Sequence, residues 1–357
     1  MVTEPAGLAN LNTIDQVISR ARDLVEVGAH GWAAAGAGQE VTLARNTTAL
    51  NSLALVPRVM RDVGEVDMSS SFVGVPLAMP VVLAPVGALG IYDAGDALAA
   101  ATAATEMGTS AICGILATSS WEEVAATAPG RHLFQMFVLG GREWMGDIVE
   151  RLEQAGFAGV CVTVDSPVIG RRDRSLEQGF TWAVPPEGSP SLARHGIDHS
   201  FRARFTWPDL EWLCEQTDLP VILKGVMTPA DAVEAVARGV AGIYVSNHGG
   251  RTVDHSLSTI EVLGEIVEAV ADQAEVVIDS GFTRGAEVCK ALALGARAVG
   301  IGRLQCWGLA VGGAPGLVRV LEILQDEIGK TMANIGCRSV DEITADHVRW
   351  SIPTLPP

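Results

Sequence analysis

The sequence predicts an α/β fold, a (β/α)8 barrel with a helical leader, on three observations. From Pro80 onward, short apolar segments alternate with amphipathic ones, which is typical of parallel βαβ units. Eight apolar segments fall within about 220 residues, and this spacing fits a closed barrel better than the alternative, an open doubly wound sheet. Ionisable residues follow several segments directly, as expected where barrel strands end at an active site.

The predicted strands are Val81–Ala84, Ser110–Gly114, Leu133–Phe137, Gly159–Val164, Pro220–Leu223, Gly242–Val245, Val276–Ile278 and Ala298–Ile301. The predicted helices between them include Ala94–Met107, Trp121–Ala126, Met145–Ala155, Pro229–Arg238, Thr259–Ala271 and Gly285–Leu294.

The segments around the barrel are a helical leader and one long connection. Apolar residues at near-helical spacing predict one or two helices within residues 11–30. The connection from Ser166 to Trp207 is polar and rich in Pro and Gly, so we expect a lid or mobile loop over the site. The length would also allow two average domains. We expect a single domain, 1–357, with a leader (1–79), a barrel (80–310) and closing helices (311–357).

Composition excludes several classes of partner. The formal net charge of −17 argues against nucleic acid and anionic membranes. No signal-like segment and no run of eighteen apolar residues is present, so we expect a cytoplasmic protein without a membrane span. The six cysteines are scattered, and neither they nor the histidines have metal-ligand spacing, so we expect no metal site.

The most informative stretch is Ile243–Asp254, with the sequence IYVSNHGGRTVD. An apolar run ends there, and His248 follows where a parallel strand passes into its loop. This places an acid/base group at the active end of the predicted barrel. The two following glycines allow a close approach of the backbone to a ligand, and Arg251 offers a planar fork suited to a carboxylate.

Two other strand ends carry charge. Asp165 follows the fourth strand, where it could orient a histidine and stabilise its protonated form. Lys224 follows the fifth strand and is one of only three lysines in the chain. A lysine at the end of a buried strand is costly without a partner, so an anionic side chain or ligand is expected beside it.

The chain resembles the family of FMN-dependent α-hydroxy acid oxidases and dehydrogenases along essentially its whole length. The resemblance rests on the family's S-N-H-G-x-R signature at Ser246–Arg251, on the leader run around Gly36–Val63 and on the closing segment TMANIGCRSVDEI. It implies FMN as cofactor and a small-molecule substrate. It also implies oxygen or another electron acceptor, and a homotetramer or larger assembly.

The resemblance also assigns roles. It implies that His248 is the base, Asp165 its carboxylate partner and Lys224 the cation beside the flavin. It also implies that Arg251 holds the substrate carboxylate and that Arg172 is a second arginine on the substrate side of the site. The implied flavin-binding positions are Val86, Gly87, Gly114, Gln135, Thr163, Lys224, Ser246, Asp279, Gly281, Arg284, Gly302 and Arg303.

The phosphate-binding segment departs from the family's D-G-G-x-R pattern. Glycine-rich turns after strands seven and eight suit a phosphate at a helix N-terminus. The expected arginine, however, is Thr283, and Arg284 comes one position late. We therefore expect Arg303 to carry more of the charge that faces the phosphate.

Three departures fall on the substrate side. Trp32 and Phe137 stand where the family has tyrosines, and Leu116 stands where it has tryptophan. Each hydrogen bond lost from a charged group costs about 1.5–3 kcal/mol. Small acids such as glycolate should therefore bind poorly, and a bulky or apolar 2-hydroxy acid is expected.

Three functions stay open from the sequence. The first is FMN-dependent oxidation of a 2-hydroxy acid to a 2-oxo acid. The second is a related flavin-dependent reaction, such as oxidative decarboxylation or oxidation of a non-acid alcohol. The third is a non-catalytic flavin-binding subunit, against which the retained His248, Asp165, Lys224 and Arg251 argue.

Overall fold

The computed structural model of the protein describes residues 7–180 and 197–351. Part of the long connection predicted from Ser166 to Trp207 lies outside these ranges.

The leader contains three helices and three short strands. The first helix begins at a capping box in which Thr13 and Gln16 bond reciprocally, and it buries Ile14, Val17 and Ala21. The leader elements are α1 (Ile14–Leu24), α2 (Val27–Ala34), α3 (Val41–Ser52), β1 (Leu53–Leu55), β2 (Ser70–Phe72) and β3 (Val75–Leu77).

Eight parallel strands then close into a barrel, as the sequence predicts. They are β4 (Val81–Leu83), β5 (Ser110–Gly114), β6 (Leu133–Phe137), β7 (Val160–Thr163), β8 (Val221–Val226), β9 (Gly242–Val245), β10 (Glu275–Ile278) and β11 (Ala298–Ile301). The fifth barrel strand, β8, runs three residues beyond its predicted end at Leu223, and its pairing with β9 is irregular between Lys224 and Val226.

One buried side chain from each strand fills the barrel interior, which is a packed core and not a pore. These residues are Val82, Ile112, Leu133, Cys161, Ile222, Tyr244, Val277 and Ala298. Phe72, Val75 and Leu77 of the β2–β3 hairpin belong to the same cluster and close the N-terminal end of the barrel. Only the C-terminal end is left open for a ligand.

Helices surround the barrel: α4 (Asp96–Glu106), α5 (Trp121–Ala126), α6 (Arg142–Ala155), α7 (Asp173–Glu177), α8 (Trp207–Glu215), α9 (Pro229–Ala237), α10 (Thr259–Val270), α11 (Gly285–Ala293) and α12 (Arg303–Ile335). The last strand, β12 (Val348–Trp350), pairs antiparallel with β1 and ties the end of the chain to the leader. The division into leader, barrel and closing helices stays a prediction.

The long helix α12 is interrupted at Gly312–Gly313, where the backbone leaves helical geometry. By length and composition alone α12 could cross a membrane, yet 56% of its apolar window is buried inside the protein. We therefore assign it to the protein core.

Candidate active site

A cavity of about 860 Å³ opens at the C-terminal end of the barrel. Its walls come from strand ends, from the loops that follow them and from α2 and α3 of the leader. It is lined by most of the predicted site residues, namely Trp32, Val86, Gly87, Leu116, Gln135, Phe137, Thr163, Arg172, Lys224, His248, Arg251, Asp279, Gly281, Gly302 and Arg303.

His248 is held against the cavity by a tight turn and by Asp165. It has φ 57°, and Gly249 and Gly250 continue the left-handed turn. Nδ1 of His248 lies 3.0 Å from Oδ1 of Asp165. Burial alone would raise the pKa of the Asp165 carboxyl, but the adjacent His248 and Lys224 hold it below its ordinary value. The carboxylate therefore stays charged and can fix the imidazole with Nδ1 as donor.

Space for Asp165 depends on a glycine in the irregular part of β8. Gly225 has φ +110°, and a Cβ atom at this position would lie 2.5 Å from Cβ of Asp165 and 2.8 Å from its backbone nitrogen. No side chain fits there without a shift of Asp165. Sequence reasoning missed Gly225, although a glycine inside an apolar strand is a known indication of a bulge.

Lys224 has two polar partners. Its Nζ lies 2.9 Å from Oδ2 of Asp279 at the end of β10, and it donates a hydrogen bond of 2.6 Å to Oγ of Ser246. Burial lowers the pKa of the lysine, but Asp279 and Asp165 outweigh burial and raise it. Lys224 is therefore a fixed positive charge in the cavity wall, and Asp279 is the anionic side chain expected beside it.

Arg251 and Arg303 are both anchored at the C-terminal end of α2. Arg251 donates from Nη1 to three backbone carbonyls there, those of Trp32, Ala33 and Ala35, at 2.8–2.9 Å. Arg303 donates to the carbonyl of Ala33 at 2.8 Å and to that of Ala35 at 3.1 Å. Carbonyls at a helix C-terminus attract cations without neutralising them. Among the described residues, neither arginine has a carboxylate within ion-pair distance.

Arg172 completes a group of positive charges. Its Nε is buried without a hydrogen-bond partner in the part of the chain that the structure describes. Burial, followed by the charges of Arg172 and Arg303, holds the pKa of Arg251 well below its ordinary value, and burial lowers that of Arg303 to about 10. We refer to Arg172, Arg251 and Arg303, which line the same cavity, as the arginine group. Guanidinium groups arranged in this way are suited to binding anions.

The family follows from comparison with known proteins. Residues 21–350 match the profile of the FMN-dependent dehydrogenases. The chain belongs to this family. It is 38% identical to a peroxisomal (S)-2-hydroxyacid oxidase of Arabidopsis thaliana (88% of this chain, 90% of the relative) and 38% identical to the glycolate oxidase of Spinacia oleracea (91% and 92%). The structure of mandelate oxidase with (S)-2-phenylpropionate superimposes with a TM-score of 0.88 at 36% identity, covering 96% of this chain and 99% of that one.

The cavity of this FMN-dependent dehydrogenase has features that fit the cofactor. Gly302 caps the N-terminus of α12, and a Cβ added there would meet no atom within 4 Å, so unbonded amides of the first helical turn adjoin open space. Arg303 follows at once. Gly281 has φ +98° in the loop after β10. A phosphate between this loop, the helix N-terminus and Arg303 would be held by amides and one guanidinium.

The part of the cavity that could face a flavin ring is formed by the first four barrel strands, β4 to β7, and the loops that follow them. A Cβ at Gly87 would lie 2.9 Å from Cβ of Leu116, so glycine keeps the backbone there close to the neighbouring wall. Gln135 donates from Nε2 to Oγ1 of Thr163 at 3.0 Å, and both side chains are buried beneath the cavity. These residues can present amide and hydroxyl groups to a planar heterocycle.

The structure places three of the predicted flavin-binding residues away from the surface of the cavity. Arg284 points away from the cavity, because its guanidinium pairs with Glu327 of α12 at 2.7 Å and is half-exposed. Ser246 is completely buried and lies behind Lys224, whose hydrogen bond it accepts. Gly114 is covered by the backbone of Val86 and Gly87, so it makes room for these residues and does not line the cavity.

The three departures on the substrate side all line the cavity. The Phe137 ring lies nearly parallel to the His248 imidazole, with centroids 6.2 Å apart. Trp32 lies under the guanidinium of Arg251, whose Cζ is 4.9 Å from the ring centroid. Leu116 packs beside Gly87. The wall next to the predicted base is therefore apolar where the family's tyrosines would supply hydroxyls.

Sequence reasoning missed Arg202, which also lines the cavity. It lies near the end of the long connection, shortly after residue 197, where the described part of the chain resumes. Nothing in the sequence distinguishes it from Arg204 two positions later. Its Cζ lies 6.0 Å from the centroid of the Phe137 ring.

Proposed function

We propose that this member of the FMN-dependent 2-hydroxy acid oxidases converts a bulky or largely apolar 2-hydroxy acid into the 2-oxo acid. The observation that carries the proposal is the position of His248. Its Nδ1 is bonded to Asp165, and its ring lines the same cavity as the arginine group and the apolar wall formed by Trp32, Leu116 and Phe137.

The arginine group would bind the carboxylate of the substrate. Arg251 has one nitrogen engaged by backbone carbonyls, and Nε of Arg172 is buried without a hydrogen-bond partner among the described residues. A carboxylate between them would satisfy these donors and reduce the repulsion between the two guanidinium groups. Carbon 2 of the acid would then lie within reach of His248.

His248 would accept one proton from the substrate at Nε2. Because Nδ1 is bonded to Asp165, the neutral ring has Nε2 as its acceptor, and the charged ring that results is stabilised by the carboxylate. Bound FMN would supply an acceptor for the two electrons and for the other proton that the C2–H and O–H groups lose as the carbonyl forms. Lys224 would balance negative charge near the ring.

The substrate preference is supported by the lining and by one structural relative. Trp32, Leu116 and Phe137 offer area and no hydroxyl, which suits an aryl or branched side chain. The mandelate oxidase structure is described with (S)-2-phenylpropionate, an aryl acid. Oxygen is the proposed electron acceptor because the curated relatives are named oxidases.

Anaerobic mixing of the purified FMN-loaded protein with a panel of 2-hydroxy acids tests the proposal. We expect mandelate to bleach the visible flavin absorbance much faster than glycolate or lactate. His248→Gln should retain FMN and ligand binding but lose about 100- to 10,000-fold in the bleaching rate. Faster bleaching by glycolate than by mandelate would overturn the bulky-substrate proposal. If no 2-hydroxy acid bleaches the flavin, the proposed reaction is wrong and a different flavin-dependent oxidation becomes the better proposal.

The assembly and the location of the protein stay predictions. We propose a homotetramer or larger oligomer in the cytoplasm. Light scattering on the FMN-loaded protein tests the oligomeric part.

A further inference from the structure

Arg202 is fixed to the cavity wall by the segment that carries it. Ile197 forms an isolated bridge with Gly140, and the amide of Asp198 donates to the carbonyl of Leu139 at 2.8 Å. A short 3-10 turn, Phe201–Ala203, then presents Arg202 to the cavity. The segment is therefore attached to the loop that follows β6, the strand that carries Phe137.

Phe137 links Arg202 to the predicted reaction centre. The ring has the His248 imidazole as one neighbour and the Arg202 guanidinium as another, at 6.2 Å and 6.0 Å from its centroid. A molecule that lies along the Phe137 wall with its reacting carbon at His248 can therefore extend towards Arg202.

The guanidinium of Arg202 has no acidic partner within residues 7–180 and 197–351. It lies over the face of Phe137, and its Nε is buried without a hydrogen-bond partner among the same residues. Burial lowers the pKa of Arg202, which reflects the cost of removing a cation from water. A partly buried, unpaired arginine facing a cavity is suited to an anion from the ligand.

Arg202 stands apart from the arginine group. Arg172 and Arg303 lower the pKa of Arg251, and Arg172 lowers that of Arg303, which shows that these three charges lie close together. Arg251 and Arg303 are anchored on the carbonyls of α2, whereas Arg202 is carried by the segment attached to the loop after β6. Its position over Phe137 therefore gives the cavity a cation with a different anchor.

We propose that Arg202 binds a second carboxylate on the substrate, so that the preferred substrates are bulky 2-hydroxy acids with an acidic group at the far end. The inference rests on the proposed function, because it assumes that carbon 1 of the same molecule is held by Arg251 and Arg172. A diacid would place one carboxylate at the arginine group and the other at Arg202, with its apolar body against Phe137 and Leu116.

The test compares 4-carboxymandelate with 4-carbamoylmandelate, which have nearly the same shape and differ in charge. In the FMN-loaded wild-type protein, we expect kcat/KM for the carboxylate to exceed that for the amide by about 10- to 100-fold, the usual range for a hydrogen bond to a charged group. Arg202→Leu should abolish this ratio while changing kcat/KM for mandelate little. Arg202→Lys should restore part of it.

Arg204→Leu is the matched control. Arg204 lies on the same segment, but its side chain is 61% exposed and pairs with Asp198 at 2.5 Å. We expect the ratio to survive in this variant. An unchanged ratio in Arg202→Leu, or a similar loss of activity toward mandelate and 4-carboxymandelate, would show that Arg202 only supports the wall and would overturn the inference.

Calorimetric titration with 4-carboxybenzoylformate and its 4-carbamoyl analogue separates this inference from the proposed function, because it needs no turnover. Tighter binding of the charged compound in wild type but not in Arg202→Leu supports the second site, even if no 2-hydroxy acid bleaches the flavin. Turnover of mandelate without any charge preference in either assay would leave the proposed function standing and refute the role of Arg202.

Discussion

Gly225 of β8 lies so close to Asp165 that a methyl group on Gly225 would overlap the Asp165 side chain. A Cβ atom at Gly225 would lie 2.5 Å from Cβ of Asp165 and 2.9 Å from its Cγ. Gly225 is not among the residues that line the cavity. It nevertheless determines where the partner of His248 can stand.

We expect Gly225→Ala to lower kcat by about 100-fold or more, because displacing a catalytic group by an ångström has an effect of this size. The Asp165–His248 hydrogen bond should lengthen, while FMN stays bound. Rapid-reaction bleaching of the flavin measures the rate. Gly264→Ala in α10 is the control, since a Cβ there meets no atom within 4 Å. A Gly225→Ala variant with normal kcat would mean that Asp165 does not need its present position.

The phosphate assignment is tested by two neighbouring arginines. Arg303→Ala should weaken FMN binding by about 10- to 100-fold, because it removes a charged donor from the proposed phosphate site. Arg284→Ala should leave FMN affinity unchanged and affect only thermal stability, since its partner is Glu327. Quenching of FMN fluorescence on addition to apoprotein gives both dissociation constants. A larger loss in Arg284→Ala than in Arg303→Ala would show that Arg284, and not Arg303, carries most of the charge that faces the phosphate.

The leader is joined to the signature loop by a buried amide pair. Asn46 of α3 and Asn247 exchange two side-chain hydrogen bonds, of 3.0 and 2.7 Å. Asn46→Ala leaves the Asn247 amide partly unsatisfied, so the free energy of unfolding should fall by about 1–3 kcal/mol. Denaturant titration measures the change. Asn51→Ala on the exposed side of α3 should be nearly neutral, and equal effects at both positions would argue against the amide pair.

His132 should make the protein sensitive to acid. Its neutral ring is buried, accepts a hydrogen bond from the amide of Ala111 and contacts Thr105 and Thr127, and burial lowers its pKa from 6.5 to about 4. Below pH 6.5 the unfolded chain takes up a proton that the folded protein does not accept until about pH 4. The stability contributed by the neutral ring is therefore complete above pH 6.5 and is lost as the pH falls.

Between pH 6.5 and about pH 4, His132 should lower the free energy of unfolding by up to about 1.4 kcal/mol for each pH unit that the pH falls. Urea unfolding of wild type and His132→Gln at several pH values measures it. The variant should show a flatter profile, whereas His255→Gln, at an exposed loop position, should follow wild type. Parallel pH profiles for wild type and His132→Gln would show that His132 is not the source of the loss of stability in acid.

The sequence predicted the barrel because each strand is a short apolar run, and parallel strands bring their C-terminal ends together wherever they lie in the chain. That is why Asp165, Lys224 and His248 could be assigned to one site. Strand ends were less certain: Lys224 lies inside β8 because a glycine-induced irregularity extends the strand beyond its apolar run.

The direction of long side chains could not be predicted in the same way. Arg284 and Arg303 both lie at the start of a helix after a barrel strand. Arg284 pairs with Glu327 and points away from the cavity, whereas Arg303 donates to the carbonyls of Ala33 and Ala35 and lines the cavity. Arg202 lies within the 3-10 turn Phe201–Ala203 and Arg204 follows the turn directly. The change of direction along the turn lets Arg202 face the cavity while Arg204 faces solvent. Such choices depend on partners far away in sequence, which periodicity does not report.

The anchoring of Arg251 and Arg303 on α2 bears on the order of folding. The carbonyls near residue 33 and the two guanidinium groups are separated by 216 to 270 residues along the chain. Contacts of such long sequence separation require closure of very large loops. A chain whose strands have paired but whose first helices have not docked would lack the anchors of both arginines. Cofactor uptake during refolding should therefore report arrival of the N-terminal helices.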